Sequence, residues 1–112
     1  MAIKLRIANE VVFPVAGAIK VGGEEQRFDF ELVAERLPAS ELARIFHPDS
    51  RAIVPDTVVR VARDWRGVYD GEMPVPFSEG ALRSLLEAYP GLAMAALVSY
   101  GEAAGVRGRE KN

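Results

Sequence analysis

The strongest constraint on the fold is a change of hydrophobic periodicity near Pro38. Before Pro38, apolar and polar residues alternate over residues 3–8 and again over residues 26–37, where Phe28 and Phe30 share one side. This two-residue period is typical of β-strands. After Pro38, apolar residues recur every three or four positions, as on an amphipathic helix. The 112 residues are therefore predicted to form a single α+β domain, with strands first and helices after them.

The strand region contains its own turn signals. Gly22-Gly23 separates two β-prone runs and predicts a hairpin loop that extends to Glu25. Pro14 lies in the β-prone run 11–15, and its missing N–H confines that run to a sheet edge or a strand end. We expect a small N-terminal antiparallel β-hairpin or three-strand sheet that packs on the helices.

The rest of the chain predicts about four helices. Ser40 is a candidate N-cap for a short helix over residues 41–46, and Asp56 for a helix that continues to Trp65. Two further helices are predicted over residues 78–89 and 92–104, separated by Pro90-Gly91. The predicted domain covers residues 1–104, and residues 105–112 form a polar C-terminal tail that is expected to be flexible.

The stretch 64–78 is predicted to be a rigid link between two helices. It holds the single tryptophan, a Tyr-Asp-Gly turn, and prolines on both sides of Val75. Trp65 ends an apolar stripe and is expected in the core. Ser78 is a good N-cap, and Phe77 can pack on Leu82 as a hydrophobic staple.

The residue inventory argues against catalysis. The chain has no cysteine and one histidine, which leaves no plausible nucleophile–base pair, metal-ligand set or thiolate zinc site. We therefore expect no enzyme activity and no cofactor. The net charge of −2 carries no overall basic signature for nucleic acid. Neither a signal-peptide pattern nor a run of membrane-spanning length is present.

The last predicted helix is unusually apolar, because its polar residues are only Ser99 and Glu102. Such a helix is expected to be buried on more than one side, and one side is then available to another molecule. Leu92, Leu97 and Tyr100 are the residues predicted to contact that partner. The alternative is that alanines on the remaining side simply face solvent.

The central stretch also supports a resemblance to a known family. Asp-Trp-Arg-Gly-Val-Tyr-Asp-Gly-Glu-Met-Pro-Val-Pro-Phe-Ser, a helix and Tyr-Pro-Gly-Leu-Ala resemble the tail assembly chaperones of long-tailed bacteriophages. The motif positions are Trp65, Gly67, Pro74, Pro76, Phe77, Ser78, Pro90 and Gly91. The chain departs from the family pattern in having Gly71 ahead of Glu72-Met73 and a less basic tail.

The resemblance implies a non-catalytic protein that binds the phage tape measure protein, with or without the tail tube protein, during tail assembly. It implies self-association on one partner, action in the cytoplasm of the bacterial host, and departure before the virion is complete. The competing hypothesis is a small regulatory or antitoxin-like protein-interaction module.

The family also implies a second, longer product made by ribosomal slippage near the end of the gene. Glu110-Lys111-Asn112 can be encoded with a run of adenines that permits such a slip, and can equally be encoded without one. The alternative is an ordinary polar C-terminus. The nucleotide sequence at these codons distinguishes the two.

Overall fold

The structure is a computed structural model that describes residues 9–105, apart from the side chains of Ile19 and Val21. The strand predicted over residues 3–8 and the tail after Gly105 lie outside this range.

The described chain is an α+β domain with a three-stranded antiparallel sheet and four helices. The sheet has the order β1-β2-β3, and β4 and β5 form a separate two-stranded ribbon. The strands are β1 (Glu10–Val21), β2 (Glu24–Glu35), β3 (Ala62–Arg66), β4 (Tyr69–Asp70) and β5 (Met73–Pro74), and the helices are α1 (Ala39–Ile45), α2 (Val54–Val61), α3 (Glu79–Ala88) and α4 (Leu92–Ala104). The predicted order of strands and then helices is only partly correct, because β3 lies between α2 and α3.

A long hairpin of β1 and β2 forms most of the sheet. Gly22 and Gly23 connect the two strands with φ values of 60° and 87°, the left-handed conformation that a two-residue hairpin turn requires. Glu24 and Glu25 belong to β2, so the loop is shorter than predicted. Pro14 lies on the edge strand β1, as its missing N–H predicts.

The helices cover one face of the sheet. That face contributes the buried residues Val11, Phe13, Val15, Phe30, Leu32 and Ala34. The opposite face of the sheet carries ion pairs between β2 and β3, namely Glu35 with Arg63 and Glu31 with Arg66. The core is therefore a single layer between the sheet and the helices.

The two predicted N-caps in the first half of the helical region are wrong. Pro38 occupies the N-cap position of α1 and Ile53 that of α2, neither with a side-chain cap. Proline at the start of α2 favours that start because its fixed φ suits the first helical turn. Asp56 lies inside the first turn and its carboxylate accepts a hydrogen bond from Arg83 at 2.9 Å. The Ser78 cap is confirmed, since its hydroxyl oxygen accepts from the Ala81 N–H at 3.0 Å.

The helix predicted to reach Trp65 ends at Val61, and residues 62–66 form β3. A β-bulge explains why residues of a strand have the spacing of a helix. Ala62 pairs with Ala34 and Trp65 pairs with Leu32, so an odd spacing of three on β3 matches an even spacing of two on β2. Ala62 and Trp65 consequently face the same side of the sheet. The stretch after Trp65 joins a strand to a helix and is not a link between two helices.

Among the described residues, no single helix is long and apolar enough to cross a membrane; α3 and α4 pass the length and composition test only together, across a bend of 117°.

Candidate functional site

Trp65 organises the segment that follows β3. Its side chain is 7% exposed, and its indole Nε1 donates a hydrogen bond to the Val75 carbonyl at 2.7 Å. The rings of Phe30 and Phe77 pack edge-on against it, with centroids 6.4 and 5.3 Å away. The prediction that Trp65 is a core residue is confirmed. Its contacts also explain why Phe77, just before the α3 cap, is held against the core.

The other motif residues shape the chain around this cluster. Gly67 ends β3 with φ of 87°, a conformation that glycine adopts without a Cβ clash. Pro74 lies in β5 and pairs with Tyr69 of β4. Pro76 lies between β5 and α3, in a segment without regular secondary structure. Pro90 and Gly91 lie apart from the cluster, at the junction of α3 and α4.

The three residues predicted to contact a partner are buried. Leu92 and Tyr100 are each 1% exposed and Leu97 is 8% exposed, because α4 packs on β1 and α2. In this conformation they cannot form a docking surface. A helix that is apolar nearly all round gives no sequence signal for which side faces the core.

Tyr100 joins α4 to the end of β2. Its hydroxyl donates to the Glu35 carbonyl at 2.8 Å and accepts from the Leu37 N–H at 3.3 Å. Its ring packs edge-on against Phe13 at 5.5 Å. Burial raises the pKa of the Tyr100 hydroxyl, and the Leu37 N–H opposes that rise.

The exposed side of α4 carries Met94 and Val98, which the sequence analysis did not single out. Their exposed fractions are 52% and 48%. Because they are four residues apart on a helix, they lie on the same side, one turn from each other. We call these two residues the α4 stripe.

A second apolar surface lies beside β2, where a groove of about 340 Å³ opens between the sheet and the chain after β3. We call it the sheet-edge groove; its lining residues are Gln26, Arg27, Phe28, Asp29, Phe30, Gly67, Val68, Tyr69, Leu85, Tyr89 and Leu92. Phe28 and Tyr89 close one part of it, with ring centroids 5.8 Å apart. Tyr69 remains 60% exposed at its rim.

A wider and shallower concavity of about 670 Å³ lies between α1 and the loop that follows it, and His47 is part of its wall. The His47 Nδ1 accepts a hydrogen bond from the Asp49 N–H at 3.0 Å, which fits its predicted position at a helix end. Within residues 9–105, no three His, Cys, Asp or Glu side chains are arranged to hold a metal ion.

Several arginines form ion pairs with carboxylates of the described chain, among them Arg44, Arg60, Arg63, Arg66 and Arg83. Arg44 and Arg60 both hydrogen-bond to Glu41, and these two contacts lower the pKa of its carboxyl group. Arg60 belongs to α2, so Glu41 links α1 to α2. This pairing balances the charge of Arg60, the one arginine on α2.

No family model, no curated protein and no solved structure matches this chain.

Proposed function

We propose that the protein is a tail assembly chaperone of a long-tailed bacteriophage, which binds the tape measure protein without catalysis in the cytoplasm of the bacterial host. The observation that carries the proposal is the α4 stripe. Met94 and Val98 are about half exposed on a helix whose only charged residue is Glu102. Contiguous exposed apolar surface marks protein-interaction sites, and these two side chains are neighbours on one side of α4.

The chemistry of the stripe suits a helical partner. Apolar residues at positions i and i+4 are the spacing with which one helix meets another. Methionine is flexible and polarisable, so it adapts to partner surfaces of irregular shape. A tape measure protein, which the resemblance implies as partner, presents apolar helical surface before the tail encloses it.

The remainder of α4 holds the stripe in place. The Ser99 hydroxyl donates to the Pro14 carbonyl at 2.6 Å, and Tyr100 hydrogen-bonds to the backbone at both Glu35 and Leu37. A helix fixed on its inner side presents its outer side with little conformational entropy to lose on binding. On the inner side of α4, Leu97 and Tyr100 pack on the core. On its outer side, Met94 and Val98 are proposed to contact the partner.

Charge substitution of the stripe tests the proposal. The double variant Met94→Asp/Val98→Asp is expected to lose co-purification with the tape measure protein from the same phage gene cluster, because two carboxylates in an apolar interface would be buried without partners. The melting temperature should stay close to that of the wild type, since both side chains are already half exposed.

Ile53→Asp is the matched control. Ile53 is 62% exposed and precedes α2, away from the stripe in sequence, so this variant should co-purify like the wild type. Retained co-purification by a folded stripe variant would refute the assignment of α4. A folded wild-type chain that captures neither the tape measure protein nor the tail tube protein would refute the chaperone function itself.

A further inference from the structure

The outer edge of β2 is only partly covered by β3. The β2–β3 register extends from Glu31 to Ala34, whereas β2 begins at Glu24. Within residues 9–105, the part of β2 from Glu24 to Asp29 is paired with a strand on its β1 side alone. The sheet-edge groove runs beside this uncovered part, and residues 26–30 line it.

The hydrogen-bond alternation shows which backbone groups are open. The Arg36 N–H donates to the Asn9 carbonyl at 2.9 Å, so even-numbered residues of β2 bond to odd-numbered residues of β1. In a regular antiparallel pair, the intervening residues direct their N–H and C=O groups to the other edge. Arg27 and Asp29 therefore point their backbone groups towards the groove, where the described chain supplies them with no backbone partner.

An open edge beside an apolar groove is the geometry at which an extended segment adds as a further strand. The incoming strand would place alternate side chains against the core-side face of β2, where Phe28 and Phe30 lie. Its intervening side chains would lie on the opposite face, which carries Glu25, Asp29 and Glu31 against Arg27 along this edge. The fitting strand is thus apolar on one side and basic on the other.

The chain itself contains a segment with this pattern. Residues 3–7 read Ile-Lys-Leu-Arg-Ile, with three branched apolar side chains on one side of a strand and two basic side chains on the other. The charges complement the acids of β2, and the apolar residues match the aromatic lining of the groove.

The same molecule cannot supply this strand to its own groove. Asn9 lies opposite Arg36, seven residues along β2 from Asp29, which is about 23 Å at the usual rise of a strand. Ile7 is two residues from Asn9, a span of about 7 Å at most. The segment must come from a second copy of the chain.

We propose that residues 3–7 of one copy add as a strand to the open edge of β2 in a second copy, with their apolar side chains in the sheet-edge groove. The assembly rests on edge hydrogen bonds and on the groove, and it does not depend on the α4 stripe or on the proposed function. Each copy has one donor segment and one acceptor edge, so the contact is heterologous and extends to closed rings or longer assemblies.

A pair of proline substitutions on one rung of the sheet tests the acceptor edge. Asp29 and Ala16 are register partners, and their N–H groups point to opposite edges of the hairpin. Full-length Asp29→Pro removes the N–H that a donor strand would use, and the weight-average mass by light scattering should fall to that of a monomer. Ala16→Pro removes the equivalent N–H on the β1 edge and should assemble like the wild type; Asp29→Asn reports the contribution of the charge alone.

A mixing experiment tests the donor and the acceptor together. A full-length chain with Ile3, Leu5 and Ile7 all changed to serine lacks the donor face, and the Asp29→Pro chain lacks the acceptor edge. Each should be monomeric alone, with self-association weakened about tenfold or more, while an equimolar mixture should give a heterodimer by native mass spectrometry.

Strand addition is supported if the heterodimer forms in the mixture and neither variant assembles by itself. A monomeric wild-type chain, assembly of either variant by itself, loss of assembly in Ala16→Pro but not in Asp29→Pro, or a mixture that stays monomeric would each overturn the proposal. Circular dichroism at far-ultraviolet wavelengths verifies that every variant retains its secondary structure.

Discussion

At the scale of single residues, Tyr100 shows how a side chain that sequence reasoning assigned to a partner serves the fold instead. Its hydroxyl satisfies one backbone carbonyl and one backbone N–H where β2 ends, at Glu35 and Leu37. A buried backbone group without a hydrogen-bond partner lowers the stability of the fold. The Tyr100 hydroxyl therefore stabilises the segment between β2 and α1 by pairing with both groups.

Tyr100→Phe should therefore lower the free energy of unfolding by about 1–2 kcal/mol, because two backbone groups lose their partner while the ring packing against Phe13 remains. Urea denaturation of the variant and the wild type measures the difference. A variant as stable as the wild type would show that water replaces the hydroxyl at no cost.

The same hydroxyl predicts a dependence of stability on pH. Its folded-state pKa is raised by burial, so its contribution is fully present below the unfolded pKa of about 10 and is lost as pH rises through the folded-state pKa. Wild-type stability should fall in this alkaline range, and the fall should be smaller in Tyr100→Phe. Equal slopes in the two proteins would contradict the prediction.

At the scale of elements, β3 is where prediction and structure differ most. Val58, Val61, Ala62 and Trp65 have helical spacing, and Val58 and Val61 do lie on α2. Beyond Val61 the bulge in β3 reproduces a spacing of three on a strand, and a one-dimensional pattern cannot distinguish the two. The hairpin, α3 and the bounds of α4 were predictable, because Gly22-Gly23, the Ser78 cap and Pro90-Gly91 are local signals.

The candidate surfaces were harder to predict than the elements. The sheet-edge groove depends on how far β3 extends along β2, which is set by contacts distant in sequence. The α4 stripe depends on which side of an almost uniformly apolar helix meets β1. The hydrophobic periodicity of the sequence indicates neither the extent of β3 along β2 nor the orientation of α4.

Substitution of Trp65 tests how β3 holds the segment that contains β4 and β5 against the core. Trp65→Ala should lower the free energy of unfolding by about 3–5 kcal/mol, and Trp65→Phe should cost less because it retains a ring between Phe30 and Phe77. Both variants lose the bond to the Val75 carbonyl, so both should release the segment before α3. Thermal melts together with backbone NMR shifts of residues 67–77 measure the two effects, and Trp65→Ala with an unchanged melting temperature would refute the packing role.

At the scale of the whole molecule, the domain is elongated, with extents of 54 × 32 × 30 Å. The described side chains from Ala16 to Arg27 are all exposed, whereas Val11, Phe13 and Val15 at the other end of β1 are buried. The far half of the hairpin is therefore an arm that extends past the core and is stabilised mainly by its own backbone hydrogen bonds.

Hydrogen exchange should divide the hairpin at this boundary. Amides of the arm, such as Gly17, are expected to exchange through local opening with a free energy far below that of global unfolding, while the amide of Leu32 should exchange only with the core. If copies join through β2, the amides of Arg27 and Asp29 gain protection as protein concentration rises, and those of Ala16 and Ala18 do not. Uniform protection along β1 would contradict the boundary.

The arm also affects how the stability of this chain is measured. The denaturant dependence of unfolding scales with the surface that unfolding exposes, and an arm whose side chains are already in water adds less to that surface per residue than the core does. The m-value and the heat-capacity change should therefore correspond to a chain shorter than 112 residues. A calorimetric unfolding enthalpy normalised by chain length would make a well-packed core look weak, when it is only smaller than the chain.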